Sequence, residues 1–472
     1  MHRIRWMVVL AVVAALVAAF GLPSRGAAAE GGIVPGSVVA TPLGTFNGVA
    51  YTEYKGQFAG TTAGDYAVGF EIVAPTNPAQ GNGVAVVEAM HVMGGTAGRD
   101  AYFTPAFFYN QGFTYAGIWW HPADVNPMVA YDAEEANQIL HNFALALRQD
   151  PATQEMVGNL THVYGYGVSK TNEPFLKVAQ SPAQSLYDFI LLIVPSYFES
   201  EFTEPRGAGR MVVFNVEGDR VLSRRDGEFV EELRGSSDKY RSYEVAGGAH
   251  MPDLPWVRIA SAVYGTTSEG TSPLDWTPVV RALFIAGHLW TTEGVEPPPS
   301  TWIDDAPFGQ TDALYESVYG MELETGINRD EMGNALGGIR LPDLDIGRGV
   351  YIPVDPASFL GMGLFGAFLD KQCESLEDGT MRFTDHADYV AQFTAQAEAL
   401  VADRFLLRDD ADRMIAQAAA SNVGDPSACT GTPVLLPATG GDAAIGALVA
   451  LLVLVTGAAV TRRRAVTGRR AS

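Results

Sequence analysis

The sequence predicts an α/β fold, a mostly parallel sheet with helices on both faces. Three observations predict it. Short apolar runs of strand length alternate with stretches of helical spacing. One such run, Leu160 to Tyr166, passes through Gly167-Val168-Ser169-Lys170-Thr171 into a helix-like segment, Asn172 to Ala179. Asp219 and then His250 follow that turn downstream, each in a short motif of its own.

The elements follow in order. Ala67 to Ala74 alternates and reads as an early strand. Gly83 to Met90 is apolar almost throughout, as a strand covered on both faces is, and Phe113 to Trp120 is another strand. Ala133 to Arg148 places Ala136, Ile139, Leu140, Phe143 and Leu147 at helical spacing. The strand before Ser169 comes next, then two more apolar strands, Phe189 to Val194 and Met211 to Val216. Beyond His250 lie a helix around Pro278 to Trp290, the loop Pro297-Pro298-Pro299, and helices around Ala387 to Arg404 and Ala411 to Ser421.

The turn carrying Ser169 is Gly-x-Ser-x-Thr, close to the Gly-x-Ser-x-Gly of a nucleophile elbow. Such a turn strains the serine and exposes its hydroxyl above the sheet. Gly167 is needed because a side chain there collides with the tight turn. Gly-x-Ser alone is a weak signal. The order Ser169, Asp219, His250 strengthens it, since it is the chain order of α/β-hydrolases. From Ser169 to Asp219 there are 50 positions, too few for a cap domain beside the expected strands and helices. A lid is therefore expected from the C-terminal region.

Each residue type has a chemical reason. A serine hydroxyl is a poor nucleophile at neutral pH and needs a bonded base. His250 is the expected base, taking the Ser169 proton and returning it to the leaving group. Asp219 is expected to hold the imidazole tautomer, with Glu217, two residues earlier, as the rival acid. The oxyanion needs backbone N–H donors. One is expected from Lys170, and another from the loop His91-Val92-Met93-Gly94-Gly95-Thr96, at Met93 or Gly94. Bland readings stand beside these: Ser169 as a turn serine, His250 and His91 as structural histidines. His121, after Trp119-Trp120, reads as a loop residue or as lining a pocket with those tryptophans. No Cys/His cluster or H-E-x-x-H motif points to a metal, and no G-x-G-x-x-G follows a strand, so no cofactor is expected.

Both ends read as addresses. Met1 to Ala29 has Arg3 and Arg5, an apolar run from Trp6 to Leu22, and Ala27-Ala28-Ala29, the pattern of a signal peptide cut before Glu30. Leu436-Pro437-Ala438-Thr439-Gly440 precedes an apolar segment from Ala443 to Val460 and a basic end, Arg462-Arg463-Arg464 with Arg469-Arg470. This order resembles a Gram-positive cell-wall sorting signal. It implies a sortase as partner, cleavage between Thr439 and Gly440, and attachment to peptidoglycan. The apolar segment is long enough for a bilayer, and the arginines hold its end inside. Plain membrane anchors are the simpler alternatives at both ends.

The whole chain has a formal net charge of −23, and removing both ends takes eight arginines but only one acid. A strongly acidic exterior argues against nucleic acid and anionic membranes as partners. A hydrophobic fraction of 47% supplies a large core. Cys373 and Cys429 are its two cysteines, and in an exported chain they form either a disulfide or two free thiols. The expected organisation is a signal peptide over 1–29, an α/β core over 30–272 and a C-terminal region over 273–424. A wall linker with the sorting motif spans 425–439, and a cleaved span and tail 440–472.

Further segments carry a family resemblance: Gly48-Val49-Ala50-Tyr51-Thr52-Glu53-Tyr54, Tyr243 to His250 with its Ala-Gly-Gly-Ala-His end, Gly337-Gly338-Ile339-Arg340-Leu341-Pro342-Asp343, Tyr389-Val390-Ala391, and Phe405 to Ala411. Together with the elbow they resemble a bacterial group of α/β-hydrolase-domain proteins. The resemblance covers the mature chain and implies a serine hydrolase fold, His250 as base, and an ester substrate, small or lipid-like, rather than an amide. The chain departs from the group at Lys170 and at Thr171, where glycine is usual. A branched Thr171 is expected to crowd the elbow. Two other functions remain open on sequence: an inactive surface-binding protein that keeps the fold, and an envelope acyltransferase sharing Ser169 and His250.

Overall fold

The structure is a computed structural model. It describes residues 31–62, 64–90, 102–103, 106–121, 132–180, 186–195, 209–224, 233–255, 271–307, 309–356, 363–374 and 381–430. Residues 1–29, read above as a signal peptide, the loop 91–96 with Met93 and Gly94, and Leu436, Pro437, Thr439 and Gly440, read as a sorting motif, lie outside these residues, as does the apolar segment 443–460. Among the described residues no helix is long and apolar enough to cross a membrane.

The chain forms two compact units. The first runs to Val213 and takes in Ser236–Arg241 and Gly287–Glu296. The second holds Phe214–Gly235, Ser242–Ala286 and the chain from Pro297 onward. The units thus cut across the 30–272 and 273–424 division drawn from sequence. Each of the strands Arg210–Val216 and Tyr240–Val245 begins in the first unit and ends in the second.

The first unit is built on the sheet. Its strands are β1 (Gly32–Ile33), β2 (Val39–Phe46), β3 (Val49–Thr61), β4 (Asp65–Pro75), β5 (Val84–Ala89), β6 (Thr114–Ile118), β7 (His162–Val168) and β8 (Phe189–Ile193), with the starts of β9 (Arg210–Val216) and β10 (Tyr240–Val245). The order is β1-β3-β4-β6-β5-β7-β8-β9-β10, with β2 beside β3. The strands β6-β5-β7-β8 pair in parallel. They are the α/β core, and apolar side chains bury nearly every position. Before them stands an antiparallel portion, β1 to β4, joined to β6 through β4. Sequence reading finds β4 but not β2 or β3. β2 is almost wholly exposed, so no apolar alternation marks it.

Helix α1 (Ala133–Gln149) buries Ile139, Leu140, Phe143, Ala144 and Leu147 completely, the face expected from its spacing. Asp132 caps its start by accepting from the amides of Glu134 and Glu135. The Phe143 ring meets Phe58 of β3 and Phe70 of β4. Helix α2 (Asn172–Gln180) follows β7, and its Phe175 lies against Gly165, where no side chain stands in its way.

In the second unit, β9 ends at Val216 and helix α3 (Glu217–Arg224) begins at once. Asp219 therefore sits in the first turn of a helix. Sequence reading does not find α3, because it is short and polar and no apolar periodicity marks it. The helix α4 (Thr277–Glu293) starts in this unit after Trp276, whose ring meets Phe214. The C-terminal region adds a small sheet of β11 (Gly349–Ile352) and β12 (Ala367–Asp370). Paired helices α5 (His386–Ala402) and α6 (Arg408–Ala419) follow, and a disulfide joins Cys373 to Cys429.

Candidate active site

Ser169 stands at the junction of β7 and α2, in a single 3-10 turn, Ser169–Thr171. Its φ is 50°, in the left-handed region that a non-glycine residue seldom adopts. Such a conformation costs about 1–2 kcal/mol, so neighbouring contacts must impose it. Three do so. Gly167 lets the chain double back, because a Cβ there would lie 2.5 Å from the Thr171 carbonyl oxygen and 2.9 Å from Asn172 Cα. The Thr171 hydroxyl accepts from the Val168 amide at 2.8 Å and donates to the Val168 carbonyl at 3.0 Å. Buried Asn172 donates to the carbonyls of Ser169 (2.9 Å) and Ile193 (2.6 Å), and its own oxygen accepts from the Ile193 amide. A second strained residue, Val194 with φ 48°, follows Ile193.

Thr171 therefore does not crowd the elbow. Its side chain is fully buried and spent on the backbone at Val168. The expectation rested on bulk alone and missed that a hydroxyl can serve both a donor and an acceptor. The Lys170 side chain pairs with Glu173 at 2.8 Å, one turn on. Below the elbow, Glu88 of β5 is buried and accepts from the hydroxyls of Tyr115 (2.7 Å) and Tyr166 (2.5 Å). Trp120 is wholly buried, its indole donating to the Met90 carbonyl at 3.0 Å. It belongs to the core rather than to a pocket wall, and His121 stacks edge-on against it.

In the second unit the other two residues meet. Asp219 Oδ1 lies 2.7 Å from His250 Nδ1, and both side chains are buried. Glu217 has a different task. One of its oxygens accepts from the Gly247 amide at 2.7 Å and the other from Arg329 at 2.8 Å. Between them, the Gly218 amide donates to the Gly248 carbonyl at 2.8 Å. Three consecutive residues at the start of α3 thus fasten the turn 247–250. Trp276 adds a fourth bond, from its indole to the Ala249 carbonyl at 2.9 Å. Gly247 has φ 70°, and a Cβ there would run into Leu344.

Of the segments singled out in the sequence, those from Tyr243 onward interlock in this unit. Ile339 bridges to Val245, its amide bonding to the Glu244 carbonyl and its carbonyl to the Ala246 amide. Glu244 takes a two-pronged bond from Arg234. Tyr389 donates to Asp343 at 2.8 Å, and the Phe405 ring packs on Tyr243. Asp410 is gripped by two nitrogens of Arg281, at 2.8 and 2.7 Å. Sequence reading missed Arg329, Trp276 and Arg281. No local motif marks them, because their partners lie far away in sequence.

The family model described as "Alpha/beta hydrolase domain" matches residues 45–416. No curated protein matches the chain by sequence. Among solved structures, it is similar to the crystal structure of XC6422 from Xanthomonas campestris, described as a member of a/b serine hydrolase without lid. The identity is 13%, over 47% of this chain and 87% of that one, with a TM-score of 0.30. A score this low carries no argument about the site.

Proposed function

Because the chain belongs to the alpha/beta hydrolase domain family, we propose that it is a serine hydrolase, a carboxylesterase working through an acyl-enzyme. Ser169 is the nucleophile, His250 the base and Asp219 the acid that orients it. The observation that carries this reading is the strained Ser169, with φ 50° at a strand-to-helix turn. Asn47, Val194 and Arg404 also have positive φ, so the strain supports the reading through its place, on a serine between β7 and α2 where a nucleophile elbow stands. The Asp219–His250 bond supports the assignment of base and acid. With Nδ1–H given to Asp219, Nε2 is the nitrogen left to take the serine proton. Asp219 then stabilises the imidazolium that forms. The Lys170 amide, next after the nucleophile, is the oxyanion donor of this scheme, with a second from Met93 or Gly94.

The reaction follows in two halves. Ser169 attacks the ester carbonyl as His250 removes its proton, and the alcohol leaves with that proton. Water, activated by the same imidazole, then releases the acid. The test is a panel of p-nitrophenyl esters of rising acyl length, with wild type and Ser169→Ala. Wild type should turn over and the variant should not, with its thermal unfolding unchanged. Wild-type activity in Ser169→Ala would overturn the assignment. An acyl group passed to an added alcohol instead of water would identify a transferase.

The protein is further proposed to act outside the cell. Its signal peptide is cut before Glu30, and sortase joins Thr439 to peptidoglycan. The support is the order of export signal, LPATG, apolar segment and arginines. Anchoring keeps the enzyme close to extracellular esters.

A further inference from the structure

The acid that does not touch the histidine raises a question. Glu217 is completely buried, two residues before Asp219 and in the same first turn of α3. A buried carboxylate is costly unless its oxygens are satisfied. Both are: the Gly247 amide takes one and Arg329 the other. Arg329 is in turn gripped by Asp312 through Nε and Nη2. Burial pushes its guanidinium pKa down, but the carboxylates of Glu217 and Asp312 outweigh this and hold it above its ordinary value. Asp312 is itself anchored, since it accepts from Thr325 and from the Leu314 amide.

We propose that Glu217, clamped by Arg329, is a positioning residue for His250, acting through the Gly247 amide. The inference rests on the serine-hydrolase reading above. His250 lies on the turn 247–250, which follows the β10 strand and has no helix or strand of its own. Asp219 fixes the ring of His250, but the ring can be fixed only if the turn that carries it is fixed as well. Glu217 holds the start of that turn and Asp219 its end, from one helical turn. The geometry also explains why two acids stand so close together: one addresses the side chain and the other the backbone. A misplacement of about 1 Å can cost roughly a hundredfold in rate, so such backing has a kinetic consequence.

Two variants of the full chain separate this role from a merely structural ion pair. Glu217→Gln keeps the shape but offers one oxygen. Arg329 is the stronger donor and takes it, turning the NH2 group on the Gly247 amide. Glu217→Asp keeps the charge but is one methylene too short to reach both partners. Each should lower kcat about tenfold with KM within about twofold. The far-downfield proton resonance of the Asp219–His250 bond should shift or broaden in both. Adding Arg329→Met to Glu217→Gln frees the amide oxygen for Gly247. That double variant should recover kcat to within about threefold of wild type while unfolding at a lower temperature, because Asp312 has lost its partner. Wild-type kcat and an unmoved resonance in both single variants would overturn the proposal, whether or not the double variant folds. If wild type turned over no ester, the hydrolase reading would fail, and the resonance would still decide whether Glu217 positions His250.

Discussion

The Thr171 hydroxyl closes a ring onto Val168, taking its amide proton at 2.8 Å and giving its own to the same residue's carbonyl at 3.0 Å. The residue before the nucleophile is thereby locked at both polar groups. A glycine at 171 would leave a buried donor and a buried acceptor to find other partners. Each such bond contributes about 1 kcal/mol net, and leaving it unmade costs about 1–3 kcal/mol. Thr171→Gly and Thr171→Val should therefore lower kcat/KM about tenfold or more and lower the unfolding temperature, while Thr171→Ser should stay near wild type. Ester kinetics and thermal unfolding of the three variants check this. Equal activity in all three would mean that the ring has no effect on the elbow.

Arg281 and Asp410 form a second relationship, between the start of α4 and the start of α6. Burial pushes the Asp410 carboxyl up, but its bonds to Arg281 and Arg413 outweigh this and hold it below the usual aspartate value. The sign follows. A carboxyl depressed in the folded state contributes stability that is present above the ordinary aspartate pKa of ~3.9 and lost as pH falls through the folded value. Asp410→Asn should cost about 3 kcal/mol at neutral pH, since it leaves a buried arginine without its charge partner. The gap between wild type and variant should narrow in acid, as pH falls below the ordinary aspartate value and through the depressed folded one, where Asp410 of the wild type takes a proton. Urea unfolding at neutral pH and in acid is the measurement. A gap that stays constant would show that the carboxylate charge does not matter.

Most of the parallel core was legible because its chemistry is local. Gly83 to Met90, Phe113 to Trp120 and Met211 to Val216 are apolar runs of strand length, and each lies on a strand. The face of α1 follows from its spacing. The elbow was legible in outline, since Gly167 and Ser169 carry their requirements in their own backbones. What was hidden depends on contacts distant in sequence. β2 pairs through its backbone and exposes its side chains, so composition says nothing of it. Asp219 and Glu217 look alike in sequence, and only the fold shows that one meets an imidazole and the other an amide. The part Thr171 plays is hidden in sequence because it lies in two hydrogen bonds and not in its bulk.

The disulfide from Cys373 to Cys429 closes a loop with a sequence separation of 56 and joins the segment after β12 to the end of the α5–α6 hairpin. In the chain-entropy account, a loop of that length contributes roughly 4 kcal/mol. Reduction, or Cys373→Ser with Cys429→Ser, should lower the unfolding temperature. The strands of the sheet lie outside that loop, so ester turnover at room temperature should change little. An unfolding temperature indifferent to reductant would show that the bond is not formed in solution.

The wall-anchoring proposal is tested by fractionating cells. Wild type should resist hot detergent and be freed by muralytic digestion. Thr439→Ala should stay in the membrane fraction or escape into the medium. Equal release of both by detergent would make the LPATG a chance match and the apolar segment an ordinary anchor.

The central claim is that Ser169 is a nucleophile activated by His250. The most direct measurement is covalent labelling of the full chain with a fluorophosphonate, followed by intact mass and peptide mapping. One adduct per chain is expected, on Ser169, absent in Ser169→Ala and slowed by about a thousandfold or more in His250→Ala, as expected when a triad loses its base. No adduct, or an adduct that maps elsewhere, would contradict the account and favour an inactive member of the fold.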